Sequence, residues 1–335
     1  MTMSDLRSGR KSGPNSLGGI AVIGRLVLQR LLAAVPLVWA IMTLTFFLLR
    51  LTPGDPVVQI LGDRASGAQY DAMRTELGFD RPMLSQYFSF LGYLIQGDVG
   101  SSLFSSRSAT DVVLDRLPAT LSLAIGATIL SVIGGVAVGV FAALRKGRDG
   151  TAVQVGAVVG QSIPDFWLGL VLISVFAVNL KLLPANGYVS IDESPGGWMK
   201  SLILPVFTLG LAAMGSVARM TRAAMVEALD RDFIRTLRAN GVSDRSIAFR
   251  HALKNAAIPV TTLVGVRFIG MLGSAVIIEQ VFALPGIGSL AVSAASTHDY
   301  PVMQALVLYL TLLVVVVNLI IDVIYSWLNP KVRVA

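Results

Sequence analysis

Four stretches of this chain, Leu31 to Leu49, Ala119 to Leu144, Leu202 to Ala218 and Val302 to Ile321, run without one charged side chain. A soluble core absorbs apolar residues in shorter pieces, whereas a helix needs about 20 of them to cross a hydrocarbon layer about 30 Å thick. Two further runs complete a set of six. Val153 to Val178 is apolar apart from Gln154, Gln161 and Asp165, and Ile258 to Ile278 is apolar apart from Arg267. Membrane β-strands would be about ten residues of alternating polarity, so continuous runs of this length indicate helices. The composition agrees, because 14% of the residues are charged against about 25% in a soluble globular protein. The expected class is an all-α membrane protein with six transmembrane helices.

The absence of cysteine excludes disulfide scaffolds, thiol catalysis and thiolate metal sites in this chain. The two histidines, His251 and His298, are too isolated to form a metal cage. A net charge of +7 could point to nucleic acid or to a cytoplasmic membrane face, and the placement of the basic residues decides. Segments on the N-terminal side of the membrane hold 18 Lys and Arg against 8 on the other, and most of those 8 lie in one long loop. By the positive-inside rule both termini are cytoplasmic, and no nucleic-acid partner is needed to explain the charge. The basic N-terminal region resembles the start of a signal peptide. Its apolar run is too long, however, and ends at Arg50 without a small-residue cleavage site, so it reads as an uncleaved anchor.

The expected organisation is a cytoplasmic tail over 1–25, its first 18 residues disordered, then a first membrane helix over 26–50 and an external loop region over 51–117. A core of five further spans over 118–330 and a short cytoplasmic tail over 331–335 follow. The external loop is long enough for helices of its own, one expected from Ser66 as N-cap to Leu77, with Gly78 just past its end. Gly and Pro in Pro285-Gly286-Ile287-Gly288 break the external segment from Glu279 to Pro301 into a short reentrant or surface element.

The cytoplasmic loop 219–255 is the most informative stretch. Gly241 can take the left-handed conformation that ends a helix, and Ser243 can cap the next one, with Asp244 in its first turn. Two short helices joined by a tight turn result. Phe233 and Leu237 share a face of the first, while Ile247, Arg250 and His251 share a face of the second, with Lys254 near its end. Such a surface serves either as an amphipathic connector or as a docking element for a cytoplasmic partner.

Charges inside a bilayer are costly and usually face a cavity or a partner. Asp165 and Arg267 lie at similar depths, with Gln161 one turn from Asp165. They either line a translocation path, pair with one another, or are neutralised separately. Glu279, at the external end of its span, either braces an outer gate or is a plain interfacial acid. Gly135-x-x-x-Gly139 and Gly156-x-x-x-Gly160 have the spacing of close helix packing. Asp322 with Asn318 one turn earlier reads as a helix-packing bond, and His298 as a surface residue.

The run Arg238-Ala239-Asn240-Gly241, followed by His251-Ala252-Leu253-Lys254-Asn255-Ala256-Ala257-Ile258-Pro259, resembles the cytoplasmic-loop signature of oligopeptide and dipeptide permeases of ATP-binding-cassette importers. Arg235-Thr236-Leu237 stands where the general signature has Glu-Ala-Ala. Pro53-Gly54-Asp55-Pro56, Gly97-Asp98-Val99-Gly100-Ser101-Ser102, Glu279-Gln280-Val281-Phe282 and Asp299-Tyr300-Pro301-Val302 agree with that family in order and spacing. The resemblance runs from about residue 25 to the end. It implies a B-type permease subunit with the type I importer fold. The implied partners are a homologous C-type permease, two ATPase subunits and an external substrate-binding protein. Arg235, Thr236, Leu237, Arg238, Ala239, Gly241, His251, Leu253 and Asn255 would form the coupling helices that seat in the ATPase.

A P-loop needs a Gly-Lys step, and that dipeptide occurs nowhere in the chain. No cofactor is therefore expected in this chain, and ATP and Mg would be bound by the partners. Peptides are the implied cargo, with nickel, glutathione or a haem-like ligand as alternatives from the same resemblance. A stand-alone secondary transporter coupled through Asp165 and Arg267 would ordinarily show broken helices in two related halves, and no such repeat is evident. An intramembrane enzyme would need a serine, aspartyl or zinc motif, and none is found.

Overall fold

The computed structural model describes residues 16–62, 65–105, 107–145, 156, 160 and 162–328. Among them the regular structure is helical, apart from an isolated antiparallel bridge between Ser101 and Ser108. Five helices contain segments long and apolar enough to cross a membrane: Val27–Leu51, Ala109–Leu144, Pro195–Leu229, Asp244–Val281 and Tyr300–Ser326. The remaining expected span, Val153 to Val178, is seen mainly as the shorter apolar helix Asp165–Asn179. Gln161 and residues 1–15 and 329–335 lie outside the described residues.

The first helix, α1 (Ser16–Leu51), begins before the expected span of 26–50, and its segment long and apolar enough to cross a membrane is Val27–Leu51. The helices also outrun their apolar stretches elsewhere, because backbone hydrogen bonding persists beyond the hydrocarbon layer. The 36 residues of α5 (Ala109–Leu144) extend about 54 Å. Three short helices precede it: α2 (Pro56–Leu61), α3 (Gly67–Glu76) and α4 (Met83–Ile95). Asp55 caps α2 by accepting from the Val57 amide, with Pro56 in the first turn. Ser66 and Gln69 form a reciprocal capping box at α3. The end of α3 is closed by Gly78 N–H to the Thr75 carbonyl and Phe79 N–H to the Arg74 carbonyl, 3.0 and 2.9 Å, with Gly78 left-handed.

After α6 (Asp165–Leu172), which continues as a π-helical segment to Asn179, comes α7 (Pro195–Leu229). It is the central helix, with 61% of its most apolar window buried. Its tightest neighbour is α5. A Cβ at Gly139 would stand 2.6 Å from the Ala218 carbonyl oxygen, and one at Gly135 2.9 Å from that of Met214, so this glycine pair does the packing its spacing implied. Gly156 and Gly160 meet nothing within 4 Å among the described residues. Helices α8 (Asp232–Ala239) and α9 (Asp244–Ser246) form the elbow. A π-helical segment, Ile247–Ala252, joins α9 to α10 (Leu253–Val281). Two helices complete the chain, α11 (Ile287–Thr297) and α12 (Tyr300–Leu328).

The main core lies between α5, α7 and α10, around Leu123, Leu204, Leu209, Met271 and Ile278. By contrast α12 has only 6% of its most apolar window buried. Exposed Leu32, Val35 and Ile133 likewise need lipid or another protein as their solvent. At the end far from the elbow, the short helices are fastened to the spans by polar contacts. Arg50 donates to Gln86 at 3.0 Å and lies 3.8 Å over the Phe46 ring. Asp299 accepts from Ser102 Oγ at 2.6 Å. The His298 ring meets the Pro53 carbonyl at 3.1 Å and fills the space above Gly54. His298 is thus a clamp residue rather than a bare surface one. Asp322 pairs with Arg30 on α1 at 2.7 Å instead of with Asn318.

Candidate functional site: elbow, membrane cavity and buried carboxylate

At the elbow, α8 ends with the hydrogen bonds its sequence implied. Gly241 N–H donates to the Arg238 carbonyl at 3.0 Å and Val242 N–H to the Leu237 carbonyl at 3.1 Å. Gly241 sits at φ +76°, where an L side chain is strained. Ser243 then caps α9 by accepting from the Ser246 amide. Arg238 Nε reaches Asp244 Oδ1 across the turn at 3.3 Å, and Arg235 faces Asp232 at 3.3 Å. Both pairs are exposed and contribute little.

Burial holds the elbow more firmly. Ile234 and Ile247 are fully buried, and Ala248, Ala252 and Ala256 pack with Met225 and Ala228 of α7 and Val140 of α5. Leu253 lies against the same cluster. The His251 carbonyl accepts from Asn255 Nδ2 at 2.9 Å. Thr236, Ala239 and Asn255 are exposed, as is Arg235.

Ile247 does not stand on the outer face with Arg250, as the sequence pattern implied. The π-helical segment from Ile247 to Ala252 adds a residue to the turn and rotates the register. Phe249, which the sequence reading passed over, is exposed instead, and with Phe233 it supplies the elbow's apolar knobs. An open depression of about 450 Å³ lies beside Phe249, Arg245 and Arg250.

In the membrane region, Asp165 and Arg267 line one cavity of about 300 Å³ with Leu209, Ala213, Gly270 and Ser274. Among the described residues no ion pair within 4.0 Å joins them, so they share a space without closing on one another. Asp165 opens α6 and Arg267 sits midway along α10.

Glu279 is fully buried near the end of α10. Thr120 Oγ1 of α5 donates to its Oε1 at 2.5 Å, and the Ser289 amide of α11 donates to Oε2 at 2.9 Å. The same Thr120 oxygen accepts from the Ile287 amide at 2.8 Å. A Cβ at Gly286 would lie 2.1 Å from the Glu279 carboxyl, so the sharp turn before α11 needs glycine there. One carboxylate thereby ties three helices together, with its charge at the first turn of α11, where exposed amides favour an anion.

Residues 135–334 match the family described as binding-protein-dependent transport system inner membrane component, and residues 23–124 match its N-terminal companion description. The chain belongs to this family of transport permeases. A Brucella abortus (strain 2308) protein carrying the name of a peptide transport system permease is 41% identical over 309 residues, covering 92% of this chain and 98% of the relative. The glutathione transport system permease protein GsiC of Escherichia coli (strain K12) is 38% identical with the same coverage. The inward-facing MetNI methionine ABC transporter aligns with a TM-score of 0.54 at 19% identity, covering 65% of this chain and 96% of that one. That likeness shows the importer-permease fold. This chain is accordingly a multi-pass permease subunit of a binding-protein-dependent importer.

For a permease, the residues missing from the sequence reading are as informative as those found. Gly286 stands out in the sequence only as a helix breaker and Thr120 only within the run Arg116-Leu117-Pro118-Ala119-Thr120-Leu121, and their shared role becomes legible only when Glu279 is seen between them. Phe249 was signalled only by its bulk in a basic segment.

Proposed function

We propose that this permease moves peptides inward as one half of a path completed by a homologous C-type permease, driven by two separate ATPase subunits that grip the elbow. The observation that carries the reading is the continuity of the elbow's second arm with a membrane span. Asp244–Val281 is one helical stretch of 38 residues, and it bears Arg267 and Glu279. Though it carries a π-helical segment at 247–252 and Pro259, a continuous hydrogen-bonded helix of this length can convey displacement at one end to the other.

In this reading the elbow end and both termini are cytoplasmic, and an external binding protein delivers cargo to the opposite face. Arg235, Thr236, Leu237, Arg238, Ala239, Gly241, His251, Leu253 and Asn255 form the surface that seats in the ATPase, with Phe233 and Phe249 as its apolar anchors. ATP and Mg stay with the ATPases. Gln161, Asp165 and Arg267 line the path, and the Glu279 network closes its outer end. The division into tail, first span, external region and five-span core follows from the same picture. Peptides are favoured as cargo by the names of the relatives, and glutathione, itself a peptide, by one of them. Nickel and haem-like ligands stand behind these.

The chain has no cysteine, so Phe249→Cys introduces a unique attachment point. In the assembled transporter a bifunctional thiol reagent on this residue is expected to cross-link to the ATPase, with a yield that changes when ATP is added. Cross-linking to the binding protein instead, or gradient-driven uptake by the chain without ATPases, would overturn the assignment.

A further inference from the structure

We infer that the cavity between α6, α7 and α10 recognises the two charged ends of a free peptide, Asp165 taking the ammonium and Arg267 the carboxylate. This rests on the importer reading above and names what that path selects. Asp165 lies 14 positions from Asn179, Arg267 14 from Val281 and Leu209 14 from Pro195, each about 21 Å from the far end of its helix at 1.5 Å per residue. The three positions therefore share one level, and Asp165 and Arg267 stand near the middle of the apolar runs 153–178 and 258–278, where an unneutralised charge is unfavourable.

Both charges face this space, and neither neutralises the other within 4.0 Å. A molecule carrying one positive and one negative end satisfies both at once. The rest of the wall suits such a guest. Ala212, Ala213 and Gly270 are small, a Cβ at Gly270 would meet nothing within 4 Å, and Ser274 adds a hydroxyl for a peptide amide. At about 300 Å³ the cavity is at the small end of ligand pockets, sized for two or three residues. The charges address the ends of the guest and leave its side chains unread.

Ser274→Cys places the chain's sole thiol in this wall. In the complete transporter in lipid vesicles, a small thiol reagent labels it, and Ala-Ala is expected to protect. N-acetyl-Ala-Ala and Ala-Ala amide, each lacking one charge, should need about tenfold more for half-protection, the worth of one charge-assisted hydrogen bond. Adding Arg267→Gln should erase the difference between Ala-Ala and its amide while keeping that against the acetylated form, and Asp165→Asn should do the converse. Arg267→Lys should restore the preference for the free carboxylate, which a merely structural role would not. Equal protection by all three peptides, protection lost equally in both variants, or no protection would overturn the proposal. Uptake of Ala-Ala by the wild-type transporter is measured alongside. Uptake without protection would refute this site and leave the importer standing, whereas no uptake would refute the peptide reading itself.

Discussion

Replacing Glu279 by alanine tests the buried carboxylate most directly. The substitution leaves the Thr120 hydroxyl and the Ser289 amide, now 2.5 and 2.9 Å from carboxylate oxygens, without acceptors in a closed site. Each orphaned buried donor costs about 1–3 kcal/mol, and the N-terminus of α11 also loses its anion, worth about 0.3–1 kcal/mol. The summed effect, about 3 kcal/mol or more, falls on the attachment of α11 rather than on the whole chain. Amide hydrogen exchange reads local opening in such units, and about 3 kcal/mol corresponds to roughly 100-fold faster exchange. The expected result is that loss of protection at residues 287–289, with the α5 and α7 cores unchanged. Glu279→Gln keeps one acceptor oxygen and should show a smaller loss, about tenfold. Gly286→Ala offers an independent route, since its methyl would occupy the carboxylate's position and displace Glu279 without removing it. Unchanged exchange at 287–289 in Glu279→Ala would refute the reasoning, as would a uniform loss along every helix.

Two glycine substitutions separate crowding from backbone strain. Gly139→Ala should destabilise the chain by about 1–3 kcal/mol, because the new methyl meets the Ala218 carbonyl, whereas Gly134→Ala meets only the flexible end of Met214 and should be tolerated. Thermal inactivation half-lives in lipid check the contrast. Gly241→Ala meets no neighbour within 4 Å and should cost about 1 kcal/mol through its left-handed backbone alone. ATP-driven uptake should fall with the subunits still assembled, and Gly241→Asn, which tolerates that conformation better, should recover much of it.

The spans and turns were legible because their signals are local. A run without charge announces a membrane helix whatever surrounds it. Ser66 with Gly78, and Gly241 with Ser243, mark helix ends through hydrogen bonds made within a few residues. Reading failed where a face had to be assigned across an irregular turn, as at Ile247, whose burial follows from a π-helical register that side-chain spacing at 3.6 residues per turn does not reveal. Partners distant in sequence were also hidden. Asp322 meets Arg30 and Glu279 meets Thr120, contacts fixed by how the helices pack. The shared depth of Asp165 and Arg267 followed from residue counting, but that they face the same cavity is a rotation about two helix axes and needs the packed structure.

The positions singled out along α10 gain their meaning from being on one rod. The elbow's buried alanines fix one end against α7 and α5, and Glu279 ties the other to α5 and α11. Packed helices resist bending and shift as units between discrete arrangements. If the ATPases push on Phe249 as proposed, that displacement has two outlets, rotation of the rod at Arg267 or strain at the Glu279 network. Weakening Glu279 favours the second, so the far end would give way without the cavity changing shape. Glu279→Ala should then keep ATP hydrolysis while transport falls. A variant damaged only at the elbow should lose hydrolysis stimulated by the binding protein as well. If Glu279→Ala and Gly241→Ala lost hydrolysis and uptake in the same proportion, the rod would not be the transmitting element.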